Sequence, residues 1–379
     1  MLKIGILVTS TPNHGGTFQY TLSYVEGVKR LNNVRITLYT SKENNYYNNL
    51  GLPIKRVIST SMKRINLIFQ SLFNKNNYFE EEDIILAPIY SPILLNTKTP
   101  FVFTLHDLQE HYLPEYFSIF IRIWRNYINK QLCEKSSAII CESKYVKNDI
   151  NRLFNVKEEK IFVIPCPPIE ITINSEGKKR VIDVLKKYSL PDSYLFYPAQ
   201  YWPHKNHIKL IEAFNKVQKD FPNINLVFTG AKKNNKTYQN VIQKIKKLGL
   251  EQKIIHLGYV EYSELEIIFE HSISLVLPTL FESISIPIYE AFQLGVPVCS
   301  SSVVGLPEQI GNAGILFDPN SIDSINSAIT KVLSSVSLRK ELIKRGHKRL
   351  TSISFKSFSN QLLNLLDSIA STKKSRSNN

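Results

Sequence analysis

Glu282 and Glu290 stand eight residues apart around Ser-Ile-Ser-Ile-Pro-Ile-Tyr, a segment built to start a helix. Pro287 suits the first helical position and Ser285 the N-cap. Glu282 then lies in the preceding loop and Glu290 in the first turn, with the N–H groups of Ser283, Ile284, Ser285 and Ile286 between them. Carboxylates accept hydroxyls and a helix start accepts phosphate. The segment therefore fits a ligand with hydroxyls at both ends and phosphate in the middle. A second reading stays open, in which Glu290 complements the helix dipole and Glu282 is loop surface.

Three further segments carry residues suited to the same ligand. Lys205, in Tyr197-Pro-Ala-Gln-Tyr-Trp-Pro-His-Lys-Asn-His207, sits near a helix start and can ion-pair with a phosphate. It fits a solvated lysine equally well. Gly15 and Gly16 follow the first apolar run, and without Cβ atoms they let backbone N–H groups approach a phosphate. They also suit a plain strand–helix turn. His106, in Thr104-Leu-His-Asp, can hydrogen-bond a substrate or move protons near neutral pH, or it can be structural.

These residues need elements to hold them. Short β-rich runs at 3–8, 35–39, 83–86, 100–105, 138–141 and 161–164 alternate with helical periods at 17–31 and 114–135. Prolines at Pro165, Pro167 and Pro168 then break the pattern and stiffen the chain as a hinge would. The alternation restarts with strands at 194–197, 225–229, 253–256, 274–277 and 297–300. Leu210, Phe214, Val217 and Phe221 form one apolar stripe for a helix packed on that sheet. Strand–helix alternation on either side of a hinge predicts two α/β domains with parallel sheets, at 1–170 and 171–354. Ligands of such sheets bind beyond the carboxyl ends of the strands, here in a central cleft that the domains face. A last amphipathic helix within 355–379 is expected to pack back on the first domain.

Composition sets outer limits. The 379 residues are 43% apolar and 21% charged, the balance of a globular chain long enough for two cores. Lys+Arg 47 against Asp+Glu 32 leaves a net charge of +15, which suits an anionic partner. No zinc finger, RNA-binding signature or basic–aromatic interleaving supports nucleic acid as that partner. Cys133, Cys141, Cys166 and Cys299 are scattered without metal-ligand spacing, as expected of buried reduced thiols. The acidic run at 80–83 reads as the solvated start of a strand rather than a metal site. No apolar run approaches the ~20 residues of a membrane span, and the N-terminus reads as a buried strand, so a cytoplasmic protein is expected.

Taken together, the segments resemble the retaining glycosyltransferases of family 4, of the GT-B fold (the "glycosyl transferases group 1" domain). The resemblance rests on the Glu282–Glu290 spacing, the proline before the helix, Gly295-Val-Pro-Val298, and Gly305-Leu-Pro-Glu-Gln-Ile-Gly-Asn-Ala-Gly-Ile-Leu-Phe-Asp-Pro319. It is strong over 194–350 and looser over the first half, where Gly15, Gly16 and His106 stand where the family keeps a phosphate loop and a sugar-contacting histidine.

The resemblance implies two Rossmann-like domains, an acceptor-binding first and a nucleotide-sugar-binding second. It implies that Glu290 holds ribose hydroxyls, that Glu282 contacts the transferred sugar, and that the backbone of Ser283–Ile286 meets sugar and phosphate. Lys205 then neutralises the diphosphate, Gly16 approaches it from the other domain, and Val260, after Gly258, marks the nucleobase edge. Gln200 stands where the family usually has an arginine, which leaves Lys205 as the main cation on the diphosphate. His106 supports the sugar or its developing charge. The implied donor is GDP-mannose or a UDP-hexose, and the acceptor a glycan or lipid-linked glycan in surface-polysaccharide or glycolipid assembly. No cofactor and no metal are implied.

Three rival functions stay open: a GT-B-fold sugar-nucleotide epimerase using the same cleft, a non-catalytic sugar-binding relative given Gln200, and a basic nucleic-acid-binding protein given the charge of +15. Lys55, Arg56, Lys63 and Arg64 also precede an apolar period at Ile65, Ile68, Phe69 and Leu72. That segment suits either a peripheral contact with an anionic inner-membrane face or a core-facing helix.

Overall fold

Several strands are continuous apolar runs, the pattern of parallel strands covered on both faces. Ile84–Ala87, Phe101–Thr104 and Ala138–Cys141 are buried at every position. The computed structural model describes residues 1–12, 15–40, 45–57, 78–169, 177–232 and 235–377. Lys63, Arg64, Ile65, Ile68, Phe69 and Leu72, the heart of the candidate membrane segment, lie outside them. The chain divides into two compact units, one formed by Met1–Ile169 with Ile353–Asn379 and the other by Glu170–Ser352.

The first unit holds seven parallel strands: β1 (Leu2–Leu7), β2 (Val34–Thr40), β3 (Ile54–Arg56), β4 (Ile84–Ala87), β5 (Phe101–Thr104), β6 (Ala138–Cys141) and β7 (Ile161–Val163). They lie in the order β3-β2-β1-β4-β5-β6-β7. The order reverses between β1 and β4, so the loops leaving those two strands diverge and leave room at their carboxyl ends. Helix α1 (Gly16–Lys29) starts in the loop after β1. Gly15 before it has φ 59°, a left-handed angle that glycine takes without strain.

Helices α2 (Gln109–Tyr112), α3 (Ile119–Lys135) and α4 (Lys144–Phe154) complete the middle of the unit. Its last helix runs over Phe355–Ser377, far along the chain, and packs on α1. Phe358 meets Tyr24 edge-to-face at 5.3 Å, and the Ser359 hydroxyl donates to the Gly27 carbonyl at 2.8 Å. A Cβ at Gly27 would run into the Phe358 ring, so the two helices approach through that glycine.

The second unit holds six parallel strands: β8 (Tyr194–Pro198), β9 (Asn225–Thr229), β10 (Ile254–His256), β11 (Ser274–Leu277), β12 (Val298–Ser301) and β13 (Ile315–Phe317). Their order is β10-β9-β8-β11-β12-β13, with the reversal between β8 and β11. Helices α5 (Gly177–Lys187), α6 (His207–Asp220), α7 (Asn235–Lys247), α8 (Tyr262–Glu270), α9 (Ile286–Leu294), α10 (Leu306–Ile310), α11 (Ile322–Ser334) and α12 (Val336–Thr351) follow in chain order. Leu210, Phe214 and Val217 of α6 are fully buried, as their stripe predicts. Phe221 caps the end of that helix instead of continuing it.

Several expectations need correction. The helix expected over 114–135 is two pieces, a short turn at Pro114–Tyr116 and then α3, because Ser118 is extended and its hydroxyl accepts the Ile121 N–H at 3.4 Å. Strands β3 and β13 have three residues each and mixed burial, Phe317 alone being buried, too little pattern to read from sequence. The acidic run is more than a solvated edge: Glu82 is buried and accepts the Tyr39 hydroxyl at 2.8 Å, while Asp83 accepts the Lys3 N–H at 2.8 Å.

Candidate active site

In the second unit the loops leaving β8 and β11, on either side of the strand reversal, bring Lys205 and Glu282 together. Lys205 Nζ lies 2.5 Å from Glu282 Oε2, and each side chain is four-fifths buried. The backbone makes this meeting obligatory. The Leu280 N–H donates to the His204 carbonyl at 2.7 Å, and the Thr279 hydroxyl to the same oxygen at 3.2 Å. Asn206, held in a left-handed conformation, donates its amide to the carbonyls of Pro278 (3.0 Å) and Pro319 (2.9 Å). Tyr197 anchors the near side, its hydroxyl donating to the Lys205 carbonyl at 2.8 Å. Two loops 77 residues apart in sequence thus behave as one support.

Helix α9 begins one residue earlier than its proline suggests. Ile286 is the first helical residue, Pro287 the second, and Ser285 the N-cap without a side-chain bond. Glu290 consequently falls beyond the first turn, not within it. The Ser285 N–H, expected to face a ligand, donates instead to Gln309 Oε1 at 2.9 Å, and Gln309 Nε2 returns a bond to the Ser285 carbonyl at 2.7 Å. Gln309, on α10, therefore spends one of the candidate phosphate donors on fixing the loop. Ser283 is buried, and Ile284 and Ile286 are half-buried beside it.

Glu290 is buried, and the Tyr262 hydroxyl donates to its Oε1 at 3.3 Å, a long bond for that pair. Burial, with like charge from Glu266 adding to it and Tyr262 opposing it, pushes the carboxyl up to about 7. Gln200 is occupied locally, its Oε1 accepting the Trp202 indole N–H at 2.9 Å. Val260 is buried, and the Gly258 carbonyl accepts the Gly230 N–H at 2.8 Å. At Gly230, φ is 137° and a Cβ would strike the Ala199 carbonyl, so only glycine lets β8 and β9 end this close together.

In the first unit His106 follows β5 and touches the ends of both neighbouring strands. Its Nε2 lies 2.9 Å from the Pro88 carbonyl after β4, and its Nδ1 2.9 Å from Glu142 Oε2 after β6. Tyr20 of α1 stands edge-on to the ring at 4.4 Å. A carbonyl only accepts and a carboxylate only accepts, so both ring nitrogens are called on to donate. In this structure, therefore, both ring nitrogens of His106 are engaged by the protein itself. Burial lowers its pKa, but the Glu142 hydrogen bond and charge outweigh burial and the net direction is upward. Gly15 and Gly16 sit where expected, in the loop after β1 at the start of α1. Among the described residues no group of three or more His, Cys, Asp or Glu side chains could hold a metal ion.

Comparison with known proteins decides between the chemistries this geometry allows. The model for "Glycosyltransferase Family 4" matches residues 14–167, and that for "Glycosyl transferases group 1" matches 185–349. The chain belongs to the GT-B-fold glycosyltransferases of family 4. Among relatives of this glycosyltransferase, the O-antigen chain mannosyltransferase B of Escherichia coli is 28% identical over 69% of each chain. The O-antigen chain mannosyltransferase RfbU of Salmonella typhimurium is 24% identical over 84% of this chain and 87% of its own. The fold is shared with Anabaena Alr3699/HepE in complex with UDP and glucose (TM-score 0.76, 16% identity, 97% and 100% covered). It is shared also with WaaG, a glycosyltransferase involved in lipopolysaccharide biosynthesis (TM-score 0.70, 16% identity, 95% and 98% covered).

Three residues that bond to the candidate site residues escaped the sequence reading: Glu142, Tyr262 and Gln309. Gln309 lies inside the Gly305–Pro319 motif and was within reach. Glu142 had a weaker signal, a carboxylate directly after a fully buried strand.

Proposed function

We propose that this glycosyltransferase moves a hexose, mannose first among the candidates, from a nucleoside-diphosphate sugar to a hydroxyl of a glycan or lipid-linked acceptor. The reaction retains anomeric configuration, uses no metal, and builds a surface polysaccharide at the cytoplasmic side of the membrane. The observation that carries this reading is the Lys205–Glu282 pair at 2.5 Å beside the strand reversal, with buried Glu290 on the helix that follows. Similarity to the two O-antigen mannosyltransferases supports the choice of sugar and setting.

Without donor, Lys205 and Glu282 neutralise one another. A nucleoside-diphosphate sugar exchanges that pair for two better-matched ones: the diphosphate takes Lys205, and a sugar hydroxyl takes Glu282. Glu290, ionised, accepts the ribose hydroxyls. The bond from the anomeric carbon to the diphosphate oxygen breaks, and the acceptor oxygen attacks from the same face. Its proton passes to the departing phosphate, whose growing charge Lys205 stabilises in place of a metal. His106 offers the charge of an imidazolium and keeps its protons.

Glu290→Ala is expected to abolish transfer from GDP-mannose and to remove the stabilisation that a nucleoside diphosphate gives the folded chain in a thermal-shift panel of GDP and UDP. Undiminished transfer contradicts the reading. An epimerised nucleotide sugar formed from donor alone would favour the epimerase instead.

A further inference from the structure

The loop that carries Lys205 is pinned by a buried aromatic ring, although loops ordinarily run over the surface. Tyr201 is 1% exposed, while its neighbour Trp202 is 39% exposed. The Tyr201 ring stacks on His207, the first residue of α6, with centroids 4.7 Å apart and planes at 24°. Tyr238 of α7 meets the same ring edge-on at 5.0 Å. The Tyr201 hydroxyl and Nδ1 of His256, the last residue of β10, share a hydrogen bond of 2.8 Å. Burial, with like charge from Lys232, takes the His256 imidazole down to about 4, and burial raises the Tyr201 phenol. The bond therefore joins two uncharged groups at neutral pH.

That bond spans a strand. β9 lies between β8 and β10 and pairs with both, so Tyr201 reaches across the end of β9 to His256. Phe228 of β9 stands edge-on to His207 at 5.2 Å and to His256 at 5.5 Å, filling the space beneath. Gly230 then lets the crossing happen, because a Cβ there would strike the Ala199 carbonyl. The two ends of the bridge are the two segments that the proposed donor reading uses. On one side, Lys205 follows Tyr201 in the same loop, and His207 under the Tyr201 ring holds the far end of that loop. On the other, His256 leads directly into Gly258–Val260, the edge assigned to the nucleobase. A nucleoside diphosphate carries its base and its diphosphate a set distance apart. A site that fixes the same distance in advance loses less affinity to ordering its loops. Gln200 brings no charge, so the hold on the diphosphate depends on where Lys205 stands.

We propose that Tyr201 and His256 are positioning residues, whose hydrogen bond sets Lys205 in register with the nucleobase edge and so fixes the hold on the donor's diphosphate. The proposal rests on the donor reading above. A double-mutant cycle on the full chain tests it, with titration calorimetry of GDP and UDP against wild type, Tyr201→Phe, Lys205→Ala and the pair. Phenylalanine keeps the stacked ring and removes only the hydroxyl. Tyr201→Phe is expected to weaken nucleotide binding about tenfold where Lys205 is present and less than about twofold where it is absent. Lost stability would lower the unfolding temperature alike in both backgrounds, so it does not imitate that coupling. His256→Asn, which offers a hydrogen-bonding group near the place of Nδ1, should stay within about threefold of wild type, and His256→Leu should bind about tenfold more weakly. Equal losses with and without Lys205, or unchanged affinity in Tyr201→Phe, overturn the proposal and leave the donor reading standing. Failure of wild type to bind either nucleotide overturns the donor reading and the positioning role together.

Discussion

Half-buried His106 and buried Glu290 are both titratable groups at or near the ends of parallel strands, and desolvation has opposite outcomes for them. His106 has an acceptor on each ring nitrogen, one of them the Glu142 side chain, and its pKa moves upward. Glu290 has a long bond from a tyrosine hydroxyl and like charge from Glu266, and it drifts up to about 7. Burial alone decides neither outcome; the hydrogen-bond inventory around the group does. One unit holds a histidine with both ring nitrogens engaged, which is suited to positioning. The other holds a carboxylate whose ionised form is poorly supported until hydroxyl donors arrive, which is suited to binding.

The largest blow to that contrast should come from Glu290→Ala, with kcat/KM falling about a thousandfold if the ionised carboxylate takes two ribose hydroxyls. Initial rates across donor concentrations measure it. Lys205→Ala should follow at about a hundredfold in kcat, since it removes charge from the leaving group. Glu290→Gln separates binding from stability. A carboxyl raised to about 7 is stable when protonated, and stability is lost as pH rises through that value. The glutamine variant should therefore melt higher than wild type at pH 8, by at most about 3 kcal/mol, and alike at pH 5. Scanning calorimetry at the two values reads the difference.

Glu142→Gln probes the other side with a smaller effect. The raised pKa of His106 means its ion pair adds stability at low pH and loses it as pH rises through the folded value. Wild type should exceed the variant in melting temperature more at pH 6 than at pH 9. Transfer should fall about tenfold if the fixed imidazolium supports the sugar. A variant with the same pH profile as wild type would show that Glu142 does not set the state of His106.

The same contrast explains what the sequence discloses. Glu282, Pro287 and Glu290 lie within nine residues, so local spacing reveals the loop, the helix start and both carboxylates. It errs by one residue at the first helical position, which puts Glu290 beyond the first turn, and by the Ser285 N–H that Gln309 takes from a distance of 24 residues. The surroundings of His106 come from Pro88 and Glu142, 18 and 36 residues away on neighbouring strands, and no local pattern joins them. The parallel sheets were legible because their strands are continuous apolar runs. Strands β3 and β13 were not, being three-residue edges of mixed burial.

Titration calorimetry of GDP and UDP against wild type and Glu290→Ala, at pH 6 and pH 8, bears most directly on how the second unit works. Whichever nucleotide binds should bind wild type about tenfold tighter at pH 8, where Glu290 is ionised, and the variant weakly and alike at both. Equal affinity of wild type at the two pH values, or full affinity in the variant, would contradict the assignment of Glu290 to the nucleotide.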